Sequence, residues 1–302
     1  MKKWICGVFV VLSFWACKND APEIADPANA PDISAVPSRF DQKMLLEEFT
    51  SSLCGQCPKS HLLRDSLRTQ YANRFYSVAM HSADFMIDSS ITSFITGKNF
   101  VDSLFNPSGI YPSGIINRQV SSSADLVPDF WGQKLNALYG AVPRCGLAID
   151  AKTITGTRLN LTVHTGFSAD MFGDYRVHVY LVQDLIQTND SLYSQLNDFS
   201  IEGLTPDSTS SLYLLNDTIR NYKHKYVLKR ILSDNGLAGD IIPQTLMTRG
   251  NDFAKTYVIN LTGINYSACS IVAFVDKYGD TDTNHRIENV QMVKVGEAKD
   301  WN

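Results

Sequence analysis

Leu45-Leu46-Glu47-Glu48-Phe49-Thr50-Ser51-Ser52-Leu53-Cys54-Gly55-Gln56-Cys57-Pro58 reads as a short apolar strand that runs into a Cys-x-x-Cys turn and then into a helix. No other stretch of the chain carries chemistry of its own. A cysteine at the start of a helix sits where unpaired backbone N–H groups and the helix dipole favour an anion, so Cys54 is expected to ionise near neutral pH and to act as a nucleophile. Cys57, one turn further on and facing inward, can then attack a mixed disulfide formed at Cys54 and release the partner thiol. Gly55 and Gln56, between the cysteines, are expected to meet that partner. Pro58 fits only if the helix effectively begins near Gly55, because a first-turn proline sacrifices no internal hydrogen bond.

Residues 60–73 continue as a helix, with Leu62, Leu63, Leu67 and Tyr71 at helical spacing. Residues 75–81 then read as a strand, and residues 91–105 as an amphipathic helix stopped at Asn106-Pro107. A further strand follows Tyr111-Pro112, and residues 125–139 supply a closing helix. In this order, with its Cys-x-x-Cys at a strand-to-helix turn, the segment 40–140 resembles thioredoxin-like proteins. The resemblance implies that Glu48, six residues before Cys54, manages the proton of Cys57, and that Pro112 is a cis-proline shaping the partner groove, with Tyr111 beside it. Leu53 stands where thioredoxins carry Trp. The 54 residues between Cys57 and Pro112 exceed what a minimal thioredoxin needs, which places an insertion around residues 82–106.

His81, at the end of a predicted central strand, reads as a packed or rim histidine rather than the base of a cysteine protease, because no Asn or Asp pattern supports it. One Cys-x-x-Cys without a second ligand pair is half a zinc site, so no metal and no other cofactor is expected.

Beyond residue 141 the pattern changes to period-two alternation. Residues 145–149, 159–163, 175–183, 226–232, 255–261, 270–275 and 290–295 give seven strands separated by Gly, Asn and Asp turns, which favours an all-β sandwich of immunoglobulin type over 141–302. The polar stretch 185–221 is too long for a hairpin loop and is expected to hold a short helix near 191–199 and to touch a partner. Cys145 and Cys269 either pair, closing a loop worth about 4 to 5 kcal/mol in the chain-entropy model, or lie buried separately.

At the N-terminus, Lys2 and Lys3 precede an apolar run from Trp4 to Trp15 that is too short for a span of roughly 20 residues, so residues 1–16 read as a signal peptide. Ala16-Cys17-Lys18-Asn19 looks like a bacterial lipobox in which Cys17 becomes the lipidated first residue, while the bulky Phe14 and Trp15 leave an ordinary cleaved signal as the other option. Residues 17–39, punctuated by Pro22, Pro27, Pro31 and Pro37, form the lipidated Cys and a semi-extended tether. Loss of Lys2 and Lys3 leaves 25 basic against 31 acidic residues, a net charge of −6 with no basic stripe, so no nucleic-acid partner is expected.

Taken with the Cys-Gly-x-Cys-Pro context, the Tyr111-Pro112 and Asn117-Arg118 pairs, and the element His224-Lys225-Tyr226-Val227-Leu228, this arrangement resembles the outer membrane protein 28-related lipoproteins. The resemblance implies a cell-envelope, outer-membrane location. Two functions stay open: thiol-disulfide exchange on exported proteins, or non-enzymatic binding or adhesion in which Cys54–Cys57 is a structural staple.

Overall fold

The structure, a computed structural model, describes residues 33–82, 84–86, 109–279 and 285–301. The signal segment, Cys17, the helix expected over 91–105 and most of the expected insertion lie outside the described residues. The elements in chain order are β1 (Met44–Thr50), α1 (Cys57–Tyr71), β2 (Phe75–His81), β3 (Ser113–Ile116), α2 (Trp131–Tyr139), β4 (Cys145–Thr155), β5 (Arg158–Phe167), β6 (Tyr175–Ile186), β7 (Gln195–Leu196), β8 (Thr218–Ile219), β9 (His224–Ile231), β10 (Asp240–Ile241), β11 (Asp252–Asn260), β12 (Cys269–Lys277), β13 (Ile287–Lys294) and β14 (Ala298–Lys299). The described chain is thus rich in strand, with few helices.

β1 is buried along its whole length, so both of its faces must be covered. Met44 and Leu46 meet Leu67 and Tyr71 of α1 and Trp131, Leu135 and Leu138 of α2. Leu45 and Phe49, on the other face, join Val78, Met80, Tyr180, Val272 and Phe274. β2 lies parallel to β1, and β3 antiparallel to it with Gly114 opposite Glu48. α1 starts at Cys57 and holds Pro58 in its first turn, the position where the missing N–H costs nothing.

All seven strands expected after residue 141 form, as β4, β5, β6, β9, β11, β12 and β13. The expected border at 140/141 is corrected, however, because residues 33–302 make one compact unit. One sheet runs in the order β13-β12-β6-β9-β2-β1-β3 with β10 on β6, and a second in the order β11-β5-β4-β14. β9 pairs in parallel with β2 at Val227 and Ala79, which satisfies backbone groups that two separate domains would leave on open edges. Val177, Val179, Ile271 and Val275 of the large sheet pack on Leu147, Ile149, Leu161 and Val163 of the small one.

A buried charge network ties the two halves. Arg118 donates to Glu47 through Nε (2.7 Å) and Nη2 (2.8 Å) and to Asp276 of β12 through Nη1 (3.2 Å). The Tyr180 hydroxyl accepts from Arg118 Nη2 at 3.1 Å and donates to Glu47 Oε1 at 3.3 Å. Asp276 also faces His178 Nε2 at 3.0 Å and His285 Nδ1 at 3.4 Å. Burial alone would raise the Asp276 carboxyl, but the adjoining His178, His285 and Arg118 hold it well below the usual carboxylate range.

Two further expectations are settled. Cys145 and Cys269 are both free and both buried in the core between the sheets, and burial pushes both thiols up, that of Cys269 to about 11. The tether ends sooner than composition suggests: Ile33 and Val36 pack with Phe40, Ala148 and Trp301, and Trp301 Nε1 donates to the Ser34 carbonyl at 2.8 Å. Apolar side chains on either side of Ser34 give this proline-rich segment something to bury.

Candidate functional site

Cys54 and Cys57 are joined by a disulfide at the start of α1. Cys54 is half-buried and Cys57 fully buried. The turn is closed by Cys54 N–H to the Ser51 carbonyl and Cys57 N–H to the Cys54 carbonyl, both at 3.1 Å. The Tyr111–Pro112 bond is cis. Because Ser113 pairs with Phe49, Pro112 stands beside the end of β1 that leads into the turn. Tyr111 packs partly against the core rather than standing free, and Leu53 and Ile110 are the exposed apolar side chains here, each at 62%.

Glu48 lies on the face of β1 that meets α1. Its Oε2 accepts from Arg64 Nη1 at 2.7 Å, and its Oε1 accepts from Ser60 Oγ at 2.9 Å. The Ser60 hydroxyl also lies 2.8 Å from the Cys57 carbonyl, so Glu48 reaches the second cysteine's backbone through Ser60 while a cation of the same helix compensates its charge. Behind them, His61 is held between Thr50 Oγ1 and the Tyr222 hydroxyl, each at 2.9 Å. Burial, and then the charges of Arg64, His81 and His224, lower the His61 pKa well below its ordinary value.

His224 of β9 donates from Nε2 to the Tyr193 carbonyl at 2.8 Å, and burial lowers its pKa to about 4. His81 is buried and tied to Asp84 Oδ2 at 2.7 Å, with its ring edge-on to His224 at 5.5 Å, which makes it the packed histidine its strand position implies. Burial would raise the Asp84 carboxyl, but the hydrogen bond and charge of His81 and the amides of Ser52 and Met86 hold it below the usual range. Among the described residues, no His, Cys, Asp and Glu side chains gather into a group that could hold a metal ion.

The polar stretch 185–221 folds back onto the disulfide turn. The helix expected there is a single 3₁₀ turn, Ser191–Tyr193, capped by Asp190, and the chain then extends. Leu196 N–H donates to the Ser52 carbonyl at 2.9 Å and Asp198 N–H to the Gly55 carbonyl at 3.0 Å. The buried Gln195 amide nitrogen lies 2.9 Å from the Cys54 carbonyl, 3.2 Å from that of Ser52 and 3.3 Å from that of Ser51. Gln56 donates to Asp198 Oδ2 (2.9 Å) and to Thr205 (2.7 Å), and Lys59 pairs with Asp207 at 3.2 Å. A Cβ on Gly55 would fall 2.0 Å from Asp198 Oδ1, so only glycine admits this approach. Gly55 and Gln56, expected to meet a partner, therefore meet the chain's own Asp198 and Thr205.

Sequence reasoning brought Cys54, Cys57, Glu48 and Pro112 to one place but missed Thr50, His61, Arg64, Gln195, Asp198, Tyr222 and His224. Gln195 is 141 residues from Cys54, and its only signal was membership of the polar stretch.

Fold and site define a β-rich chain with a disulfide at a strand-to-helix junction, sealed by a segment from its distant half. The chain belongs to the outer membrane protein Omp28 family, whose family model matches residues 98–299. That match starts beyond Cys57, so membership rests on the strands and not on the disulfide. The outer-membrane location that the resemblance implies is the location of the family. The fold is similar to that of HBP35 of Porphyromonas gingivalis, with a TM-score of 0.63 and 18% identity over 86% of this chain and 77% of that one. A domain of the outer membrane lipoprotein Omp28 from Porphyromonas gingivalis is 17% identical over 50% of this chain and 95% of that one, with a TM-score of 0.28, too slight to bear on the fold. No curated protein matches the chain. Among the described residues, no helix is long and apolar enough to cross a membrane.

Proposed function

We propose that the chain is an outer-membrane lipoprotein, anchored at Cys17, whose first part is a thioredoxin-like unit exchanging disulfides with thiols of exported proteins. The observation that carries this reading is the disulfide at the start of α1, with its first cysteine half-buried and its second fully buried. A client thiolate attacks Cys54, Cys57 leaves as a thiolate, and a second client thiolate attacks the mixed disulfide and releases the reduced pair. In the opposite direction Cys54 attacks a client disulfide and Cys57 resolves it. Glu48, held beneath the second cysteine by Ser60 and Arg64, serves as the acid-base partner of Cys57, and Pro112 and Tyr111 border the groove for the client chain. The two packed sheets support a sandwich of immunoglobulin type for the second part, one layer of which the first part extends.

With Cys57→Ser, a mixed disulfide with client proteins should accumulate; with Cys54→Ser, none should, and insulin-disulfide reduction should be lost. A native protein inactive in the same assay overturns the exchange reading. For the anchor, Cys17→Ala should move the protein from the membrane to the soluble fraction, and a variant that stays fully membrane-bound overturns the assignment.

A second reading is favoured by the segment 195–207, which seals the turn: a binding lipoprotein in which Cys54–Cys57 only staples the fold. Such a staple would resist the glutathione pool.

A further inference from the structure

The carbonyl oxygens of Ser51, Ser52 and Cys54 itself, all within the turn that carries the first cysteine, converge on one point with the negative ends of three peptide dipoles. Each places unfavourable potential where a Cys54 thiolate would form. The Gln195 amide nitrogen stands among them at 2.9 to 3.3 Å, and Gln195 has no exposed surface. Its Nε2 also lies 3.1 Å from the Leu196 carbonyl, so four carbonyl oxygens face the nitrogen and fix which way the amide points. The opposite end, Oε1, is buried without a hydrogen-bond partner, a cost that the demand on the donor end offsets. Next to it, Asp198 presses a carboxylate against Gly55, where it brings negative charge toward the same turn.

We infer that Gln195 and Asp198 are positioning residues that set the reactivity of Cys54 from the far half of the chain, with opposite signs: the Gln195 donor favours the thiolate and the Asp198 carboxylate opposes it. This inference rests on the exchange reading for its purpose, but not for its measurement. Neither residue belongs to the strand-to-helix motif, whose own contribution is the start of α1. The backbone N–H groups of Leu196 and Asp198 fix both side chains by donating to the carbonyls of Ser52 and Gly55.

The test is the pH profile of Cys54 alkylation in the reduced full chain, together with the reduction potential of the Cys54–Cys57 bond against glutathione. Gln195→Met keeps the size and removes the donor. Its alkylation profile should move up by about one pH unit, and its disulfide should become about tenfold harder to reduce, about 30 mV more negative. Asp198→Asn removes the charge and keeps the shape, and its profile and potential should shift in the opposite direction. Loosening of a merely structural cover would move both variants the same way or leave both profiles unchanged, and either result overturns the inference. Should Gln195→Met fail to fold, Asp198→Asn decides alone: an unmoved or upward-shifted profile overturns the inference. Neither measurement needs a client, so a wild-type protein that traps no client would refute the exchange reading while leaving these shifts to decide this one.

Discussion

Glu47 and Glu48 are neighbours on β1, both buried without exposed surface, and the alternation of a strand sends them to opposite faces of the large sheet. Glu47 meets Arg118, Tyr180 and, through Arg118, Asp276 of β12, so it fastens the first half of the chain to the second. Glu48 meets Arg64 and Ser60 of α1 and stands behind the disulfide. Two adjacent acids with equal burial thus do different work, and the partners decide which. A paired carboxylate among strands is a joint; one beside a helix start is part of a site.

Stability should separate the two regions most sharply. Arg118→Met leaves Glu47 and Asp276 buried without their guanidinium and should cost about 3 to 5 kcal/mol in denaturant unfolding. Arg64→Met should cost clearly less, since Glu48 keeps Ser60 and the other partner of Arg64, Asp65, is partly exposed. Equal losses would dissolve the distinction.

Acid should act next, and first on the site. His224 has a folded pKa of about 4 against an unfolded value of about 6.5, so the unfolded chain binds the proton first as pH falls. Stability is complete above about pH 6.5 and declines toward pH 4, by about 3 kcal/mol for His224 alone, with His61 acting in the same direction. Asp276, whose folded pKa is depressed, contributes its loss only below about pH 5. Unfolding between pH 6.5 and 5 should therefore be flattened by His224→Gln; an unchanged slope would place the titrating group elsewhere. The smallest effect concerns the joint: Tyr180→Phe removes one hydroxyl shared by Arg118 and Glu47 and should cost about 1 to 2 kcal/mol.

Local chemistry made much of this legible in the sequence. Period-two alternation gave all seven later strands, and a first-turn proline together with a Cys-x-x-Cys gave the start of α1. The missing parts are long-range. Alternation in 224–231 reads the same whatever the strand pairs with, so nothing announced that β9 would lie beside β2 and merge two expected domains. Arg118 reaches Glu47 across 71 residues from a backbone at φ +51; Asn117 before it, at φ +49, is a residue type that tolerates this conformation, but nothing local marks Arg118 for it. Gln195 and Asp198 fell inside the short helix expected near 191–199, because polar composition does not say which distant carbonyls a segment will meet.

Whether the Glu48 region is a working site or only a fastened one is decided by the reduction potential of Cys54–Cys57, measured by equilibration of the full chain with glutathione at pH 7. Thiol-disulfide exchange predicts a value between about −120 and −270 mV, and a value below about −300 mV would contradict it and leave the disulfide as a staple.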